Sequence, residues 1–266
     1  MNWSDFLENI KKVRESLRFE ENEECFYRGH SSNTWKLLPG LFREPNSSIE
    51  VDGEQLISEE LWSIEADLYY EFHARAKEIH DANLKDWDVL FYMQHHRVRT
   101  RLLDWTESFA TALYFAINDP KMDHPCIWIL NPYEMNQKLG HDRDLWAAEN
   151  LDCYIEGVNE TYSELLLGIH TEEDGEMFYW SDPIALYPIR RNNRLASQAG
   201  YFTIHGNNVV PLEDLNNSNR YLKRVDIPAE VINDAREFLK LAGVNDFTMF
   251  PDLDGLAKFL NKKYFK

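Results

Sequence analysis

The stretch QHHRVRTRLLDWTES, residues 94–108, combines hydrogen-bond donors, acceptors and titratable groups in one short run. It lies between two segments whose apolar residues recur at helical spacing, at residues 86–96 and 107–118. An ordinary connection between two apolar helices rarely carries this much polar chemistry. We therefore interpret this junction between two predicted helices as a candidate functional site.

Helical periodicity extends outward from this junction in both directions. Thr106 is a candidate N-cap of the helix that follows, with Asp104 and Ser108 as further capping residues. Near the end of the chain, Pro228 at N1 and Gly243 at C′ delimit another helix. The predicted helices lie within residues 1–20, 54–80, 86–96, 107–118, 228–243 and 253–264.

Short apolar runs bounded by proline or glycine predict strands at residues 25–29, 126–130, 184–189, 201–205 and 221–225. The charged segment 44–54 is predicted as a surface loop, the chain turns through Val98 and Leu103, and the acidic segment 133–180 is interpreted as a possible insertion. Helices dominate the first half and strands the second, which indicates an α+β fold with a mostly helical N-terminal half. No linker divides the chain, so residues 1–266 are predicted to form a single domain.

The composition supports a sizeable core, because 44% of the residues are hydrophobic and 14% are aromatic. Trp35 and Trp105 are predicted to lie in this core. Cys25, Cys126 and Cys153 fit neither a disulfide framework nor a zinc site, and we interpret them as small buried residues. There is no apolar run of about 20 residues and no signal-peptide pattern at the start, which predicts a cytoplasmic protein without a membrane partner.

The formal net charge of −18 repels phosphate backbones and argues against broad nucleic-acid binding. Arginines are nevertheless concentrated in two places. Such clusters fit either a small anionic ligand or surface ion pairs. The clustered residues are Arg97, Arg99, Arg101, Arg190, Arg191 and Arg194.

Arg28 lies at the end of the strand predicted at residues 25–29, directly before Gly29. A guanidinium there is able to present its planar fork to a phosphate or diphosphate, and the glycine permits close approach of the backbone. The alternative is an ordinary arginine at the end of a strand. A third polar segment, residues 194–203, places Gln198 either at a pocket edge or in a simple loop-to-strand junction.

The adjacent pair His95 and His96 suggests metal binding at first sight. Helical metal ligands are normally four residues apart, whereas neighbouring side chains point about 100° apart, so no metal is expected. A different hypothesis makes one of these histidines a general base oriented by Asp104, as in a hydrolase or nuclease. No nucleophile motif or Gly-rich loop accompanies the pair.

Four motifs in sequence order resemble the FRG-domain family, which is named for its Phe/Tyr-Arg-Gly motif. The resemblance runs from about residue 25 to 260. Its motifs are Tyr-Arg-Gly-His at residues 27–30, the run at 94–106 with Ala-Leu-Tyr-Phe-Ala at 112–116, the segment 194–203, and Phe-Pro-Asp-Leu-Asp-Gly-Leu at 250–256.

The family's motif layout is similar to the ADP-ribosyltransferase fold, in which two small antiparallel β-sheets form a cleft for NAD. By position, Arg28 matches the arginine that holds the NAD phosphates, Thr106 matches the Ser/Thr of the nicotinamide side, and Gln198 falls near the catalytic glutamate. The resemblance implies NAD as ligand or substrate, an unidentified macromolecular acceptor, and a role as a toxin or phage-defence effector. Residues expected to contact the nucleotide are Tyr27, Gly29, His30, His95, His96, Thr100, Arg101, Tyr114 and Arg194.

Gln198 departs from the expected glutamate. Glutamine keeps an acceptor but lacks the charge that stabilises an oxocarbenium-like transition state, and loss of such a contact typically costs about 10²–10³ in rate. Either another carboxylate serves, Asp104 or Glu107 being nearest in sequence to the motif, or transfer is weak or absent. The alternatives are therefore an NAD-consuming enzyme, a non-catalytic nucleotide or ADP-ribose binding module, and a His/Asp-dependent hydrolase or nuclease.

Overall fold

The computed structural model describes residues 1–44, 47–51, 53–79, 86–148, 181–187 and 200–265, which form a mixed α+β fold. No helix in this part of the chain is long and apolar enough to cross a membrane. Short 3₁₀ turns occupy Gly40–Arg43, Leu212–Asp214, Ser218–Arg220 and Ala229–Val231. The described α-helices are α1 (Trp3–Ser16), α2 (Glu59–Ile79), α3 (Trp87–His95), α4 (Phe109–Ile117), α5 (Pro132–Lys138), α6 (Ile232–Leu241), α7 (Asp246–Met249) and α8 (Leu253–Tyr264).

A seven-stranded sheet forms the centre of the molecule, with strand order β6-β7-β8-β4-β1-β5-β9. Only its β6–β7 pair is parallel, and β2 and β3 form a separate antiparallel hairpin. The strands are β1 (Phe26–His30), β2 (Ser48–Val51), β3 (Glu54–Ile57), β4 (Leu102–Thr106), β5 (Cys126–Leu130), β6 (Trp146–Ala147), β7 (Ile184–Tyr187), β8 (Gly200–Ile204) and β9 (Leu222–Asp226).

The sheet is nearly divided between β1 and β4. These two strands share one registered pair, Tyr27 with Thr106, whereas β1 makes five pairs with β5 and β4 makes five with β8. Beyond that pair the two strands separate. We call this place the seam; it joins a four-stranded part (β6-β7-β8-β4) to a three-stranded part (β1-β5-β9).

Helices cover the two parts separately on one face. α1, α4 and α6 pack on the three-stranded part, and α2 and α3 pack on the four-stranded part. The opposite face carries one continuous cluster across the seam, which includes Phe26, Leu103 and Trp128. Cys25 and Cys126 are buried, as predicted, and burial raises the pKa of their thiols to about 11 and about 12.

Gly29 allows α4 to lie directly on β1. A Cβ atom at this position would be 1.9 Å from the carbonyl oxygen of Ala112, an approach that no other residue tolerates. The glycine expected to admit a ligand therefore serves helix packing.

Four sequence predictions are wrong in detail. Segment 44–54 is not entirely a loop, because the hairpin of β2 and β3 begins within it, and the following helix starts only at Glu59. The predicted turn before α4 contains strand β4. Ser108, not Thr106, is the N-cap of α4, since its Oγ accepts from the backbone N–H of Thr111 at 3.2 Å.

The N-terminal half was predicted to be mostly helical. Besides its helices it contains three strands of the seven-stranded sheet, β1, β4 and β5, and both strands of the hairpin, β2 and β3. The resemblance implies two small antiparallel sheets. The described strands instead form one mixed seven-stranded sheet and a separate two-stranded hairpin. The described beginning of the predicted insertion contains α5 and β6. Residues 149–180 of this segment lie outside the described residues. The same holds for five residues named in the sequence analysis: Cys153, Arg190, Arg191, Arg194 and Gln198.

Candidate functional site

A cleft of about 440 Å³ opens at the seam. Its walls are built from β1, β4, α4 and the segments around residues 31–43 and 94–99. Trp35, Leu102 and Phe115 contribute apolar surface. The polar side chains that line the cleft include Tyr27, Arg28, Ser31, Arg43, Gln94, Arg97, Arg99, Asp104, Thr106, Thr111 and Asp119.

Arg28 lies where β1 and β4 separate. Its Nη1 donates to the carbonyl oxygen of Asp104, and its Nε donates to Nε2 of His30 at 3.1 Å. Nη1 is also 3.7 Å from Oδ2 of Asp104. Burial lowers the pKa of Arg28 to about 10, so the guanidinium stays charged at neutral pH. The seam thus holds a fixed cation at the edge of the cleft.

The Asp104 carboxylate has a defined orientation although its side chain is 57% exposed. Its Oδ2 accepts from Nε2 of Gln94 at 2.8 Å, and Oε1 of Gln94 accepts from the Thr100 hydroxyl at 2.6 Å. Thr100 Oγ1 in turn accepts from the backbone N–H of Leu102 at 3.2 Å. Two predicted site residues, Asp104 and Thr100, are therefore connected through Gln94.

Further arginines approach the cleft around Arg28. Nε of Arg43 donates to the carbonyl of Leu38 at 2.9 Å, and burial lowers the pKa of Arg43, with Asp104 opposing the shift and Arg99 adding to it. Arg99 also forms an ion pair with Glu44. The cleft is lined by four arginines and two aspartates, so its positive side chains outnumber its negative ones in a chain of net charge −18.

His30 supports Arg28. Because its Nε2 accepts from Arg28, the proton of the neutral ring lies on Nδ1. Burial, together with the nearby charges of Arg28 and Arg43, lowers the pKa of His30 to about 3. The ring is therefore neutral at physiological pH and orients the guanidinium.

Several predicted site residues meet at the seam. Tyr27, Arg28, Gly29, Asp104 and Thr106 all line the cleft. Thr106 is buried, and its hydroxyl oxygen accepts from the backbone N–H of Ser108 at 3.0 Å. The structure thus brings together three of the four predicted catalytic residues, Arg28, Asp104 and Thr106. The fourth, Gln198, lies outside the described residues.

Arg101 does not lie at the cleft. Its side chain is 0% exposed and forms a bidentate ion pair with Glu65 of α2. Its Nη1 donates to the carbonyls of His205 and Gly206 at 3.0 and 3.3 Å. We therefore correct its role from ligand binding to joining α2, β4 and the end of β8.

Tyr114 also requires a correction. It is buried on α4, and its hydroxyl donates to Oδ1 of Asp246 at 2.9 Å. Lys258 and Lys262 of α8 lie 3.1 and 2.9 Å from the same carboxylate. Tyr114 therefore fastens the C-terminal helices to α4 instead of facing a ligand.

His95 and His96 are separated from the cleft. His96 lines a different, apolar groove with Phe72 and Val98, and neither histidine is among the residues that line the cleft. No group of three His, Cys, Asp or Glu side chains in the described ranges is placed to hold a metal ion.

Several residues that line the cleft were not predicted as site residues, among them Trp35, Arg43 and Gln94. Trp35 was expected in the core, but its side chain is 48% exposed. Gln94 opens the polar run quoted first, and its position there was the available signal. Arg43 gave no signal, because only the folding of the 3₁₀ turn Gly40–Arg43 brings it near Asp104.

The family model described as FRG domain matches residues 23–124, which include β1, β4 and α4. The seam and all the residues that line the cleft therefore lie within the matched residues. No curated protein and no solved structure matches the chain.

Proposed function

We propose that this chain, with its FRG domain at residues 23–124, binds NAD in the seam cleft and consumes it by ADP-ribose transfer or hydrolysis. The observation that carries the proposal is the position of Arg28. Its guanidinium is charged, is oriented by His30 and the Asp104 carbonyl, and lines the seam cleft. Such a fork suits a diphosphate, the group that joins the two halves of NAD.

The division of the sheet supports the same function. The two parts of the seven-stranded sheet share one registered pair at the seam, and a cleft opens there. A cleft beside such strands is also what the resemblance to ADP-ribosyltransferases leads us to expect. Arg28 of β1 and Thr106 of β4 both line this cleft, and the resemblance assigns them to the phosphates and to the nicotinamide side of NAD. This likeness is one of arrangement and motif order, and activity requires its own test.

Asp104 is the candidate for the catalytic carboxylate. In the proposed reaction the bond between nicotinamide and ribose breaks, and nicotinamide leaves with the bonding electron pair. The ribose carbon then bonds to an acceptor oxygen, whose proton passes to solvent. The Asp104 carboxylate, fixed by Gln94, would stabilise the positive charge that develops on the ribose.

The test compares wild type with Arg28→Ala and Arg28→Lys by calorimetry with NAD and by nicotinamide release from the same samples. We expect Arg28→Ala to weaken NAD binding about 10- to 100-fold, the typical loss for a charged hydrogen bond. Arg28→Lys keeps the charge without the fork and should weaken binding less. Arg75→Ala, an exposed arginine on α2, is the matched control and should bind normally.

Unchanged NAD affinity in folded Arg28→Ala protein would refute the proposal. Thermal unfolding of each variant is needed, because Arg28 also satisfies the Asp104 carbonyl. If Arg28→Ala fails to fold, the comparison of Arg28→Lys with wild type decides the question.

A non-catalytic nucleotide or ADP-ribose binding module is the second candidate. It is favoured by the state of Asp104, whose Oδ2 is hydrogen-bonded to Gln94 and close to Arg28, and by glutamine at position 198. NAD binding that depends on Arg28, without release of nicotinamide, would select this candidate.

A further inference from the structure

Trp35 is an unusual tryptophan in this molecule. Its side chain is 48% exposed, whereas Trp87, Trp105, Trp128 and Trp146 are buried. A large aromatic side chain normally removes most of its surface from water on folding. Trp35 instead presents its surface to the cleft that Arg28 lines.

The segment that carries Trp35 is anchored on both sides. The backbone N–H of Asn33 donates to the carbonyl of His124 at 2.9 Å. On the other side, the N–H of Leu37 donates to Oε2 of Glu213 at 3.1 Å, and the Leu37 carbonyl accepts from the N–H of Leu212 at 3.1 Å. The exposed indole is thus held in place at the cleft by the surrounding structure.

Trp35 is also connected to the phosphate-binding candidate. Its ring centroid lies 6.0 Å from that of His30, with an angle of 59° between the planes. His30 accepts from Nε of Arg28 at 3.1 Å. The His30 ring thus contacts both the indole of Trp35 and the guanidinium of Arg28, and these two side chains line the same cleft. An aromatic surface and a cation in one cleft are the two groups that the base and the phosphates of a nucleotide require.

We propose, on the basis of the nucleotide-binding function above, that Trp35 stacks on the aromatic base of the bound nucleotide. The cleft then recognises two chemical features: Arg28 binds the phosphates, and Trp35 selects ligands that carry a planar heteroaromatic ring. Inorganic diphosphate uses the first feature only. Trp35 is accordingly a specificity-determining residue.

The experiment measures binding of NAD, ADP, nicotinamide mononucleotide and inorganic pyrophosphate to wild type, Trp35→Leu and Trp35→Phe. Leucine keeps apolar bulk without a π face, and phenylalanine keeps a smaller π face. We expect Trp35→Leu to weaken NAD binding roughly 5- to 100-fold, the usual range for loss of base stacking, and to leave pyrophosphate binding unchanged. The NAD affinity of Trp35→Phe should lie between those of wild type and Trp35→Leu. Comparison of ADP with nicotinamide mononucleotide shows which ring is stacked.

Tyr70→Leu is the matched control, because Tyr70 is a 41% exposed aromatic residue on α2 that does not line the cleft. Unchanged NAD affinity in Trp35→Leu would overturn the stacking role. So would an equal loss for NAD and pyrophosphate, since Trp35 would then shape the Arg28 site instead of contacting a base.

The outcomes separate this proposal from the one it rests on. If ADP binds in a Trp35-dependent way but NAD releases no nicotinamide, the stacking role stands and NAD consumption fails. If NAD is consumed equally well by wild type and Trp35→Leu, with equal affinity, only the stacking role fails. If wild-type protein binds none of the nucleotides, both proposals are overturned.

Discussion

Arg101 and Glu65 form an ion pair in which the side chains are 0% and 3% exposed. The guanidinium also lies over the rings of Phe42 and Trp62, with its carbon 5.9 and 5.6 Å from the ring centroids. Removal of one partner from such a pair leaves the other charge buried and without its counter-charge. The pair is therefore a point where the fold of α2 on β4 is vulnerable.

Glu65→Ala should lower the free energy of unfolding by about 3–5 kcal/mol, because it leaves Arg101 buried without its carboxylate. Chemical denaturation of the purified variant measures the change. Glu71→Ala removes the exposed ion pair with Arg75 on the same helix and should cost less than about 0.5 kcal/mol. A loss below about 1 kcal/mol for Glu65→Ala would contradict the structural role of the buried pair.

Gly29→Ala should destabilise the protein by at least about 2 kcal/mol through overpacking, because the new methyl group meets the backbone of α4 at Ala112. Gly40→Ala is the control: its added Cβ would lie 3.6 Å from the nearest heavy atom, an ordinary contact. Thermal unfolding of both variants distinguishes them. Equal stability would show that Gly29 does not serve helix packing.

Stability should depend on pH through His205. Burial, with the nearby charges of Arg101 and Arg28, lowers its pKa from 6.5 to about 3. Between these values the unfolded chain binds one more proton at this residue than the folded chain. The free energy of unfolding should therefore fall as the pH decreases below 6.5, by up to about 1.4 kcal/mol per pH unit from this residue.

The variant His205→Gln should show a shallower loss of stability between about pH 6 and pH 4 than wild type. Denaturant titrations of both proteins at several pH values measure the two slopes, and the carboxylates common to both proteins cancel in the difference. The comparison uses slopes, so a constant destabilisation by glutamine does not affect it. Parallel slopes would show that His205 is not held neutral.

Asp104→Asn should separate binding from turnover. Its carboxylate lies 3.7 Å from Arg28, so neutralising it should tighten pyrophosphate binding by about fivefold, or ~1 kcal/mol for an exposed charge. Nicotinamide release from NAD should fall about 10²–10³-fold if Asp104 is the catalytic carboxylate. Calorimetry and a release assay give the two quantities.

Glu107→Gln is the comparison for this experiment, because Glu107 accepts from the Tyr201 hydroxyl and does not line the cleft. Full activity in Asp104→Asn with loss of activity in Glu107→Gln would reverse the assignment of the catalytic carboxylate. Weaker pyrophosphate binding in Asp104→Asn would show that the carboxylate organises the anion site instead of opposing it.

The sequence by itself determined the local elements and the family motifs. The helix predicted at residues 253–264 has the bounds observed for α8, because helical hydrogen bonds and caps depend on neighbours within a few residues. The motif around Arg28 and the run at 94–106 likewise identified both sides of the seam. These motifs are short, and each lies within one or two adjacent elements.

Only the tertiary structure decided which similar residues have which role. Arg99 and Arg101 stand two positions apart, yet one lines the cleft and the other is buried against Glu65, because α2 covers the start of β4. β4 was not predicted as a strand, since residues on both of its faces are buried and polarity does not alternate along it. Trp35 is exposed because the anchoring of its loop to distant segments, not its hydrophobicity, sets its position. Contacts between segments far apart in the chain leave no pattern in the local sequence. These contacts determine where the charged side chains and the aromatic surface of the cleft lie.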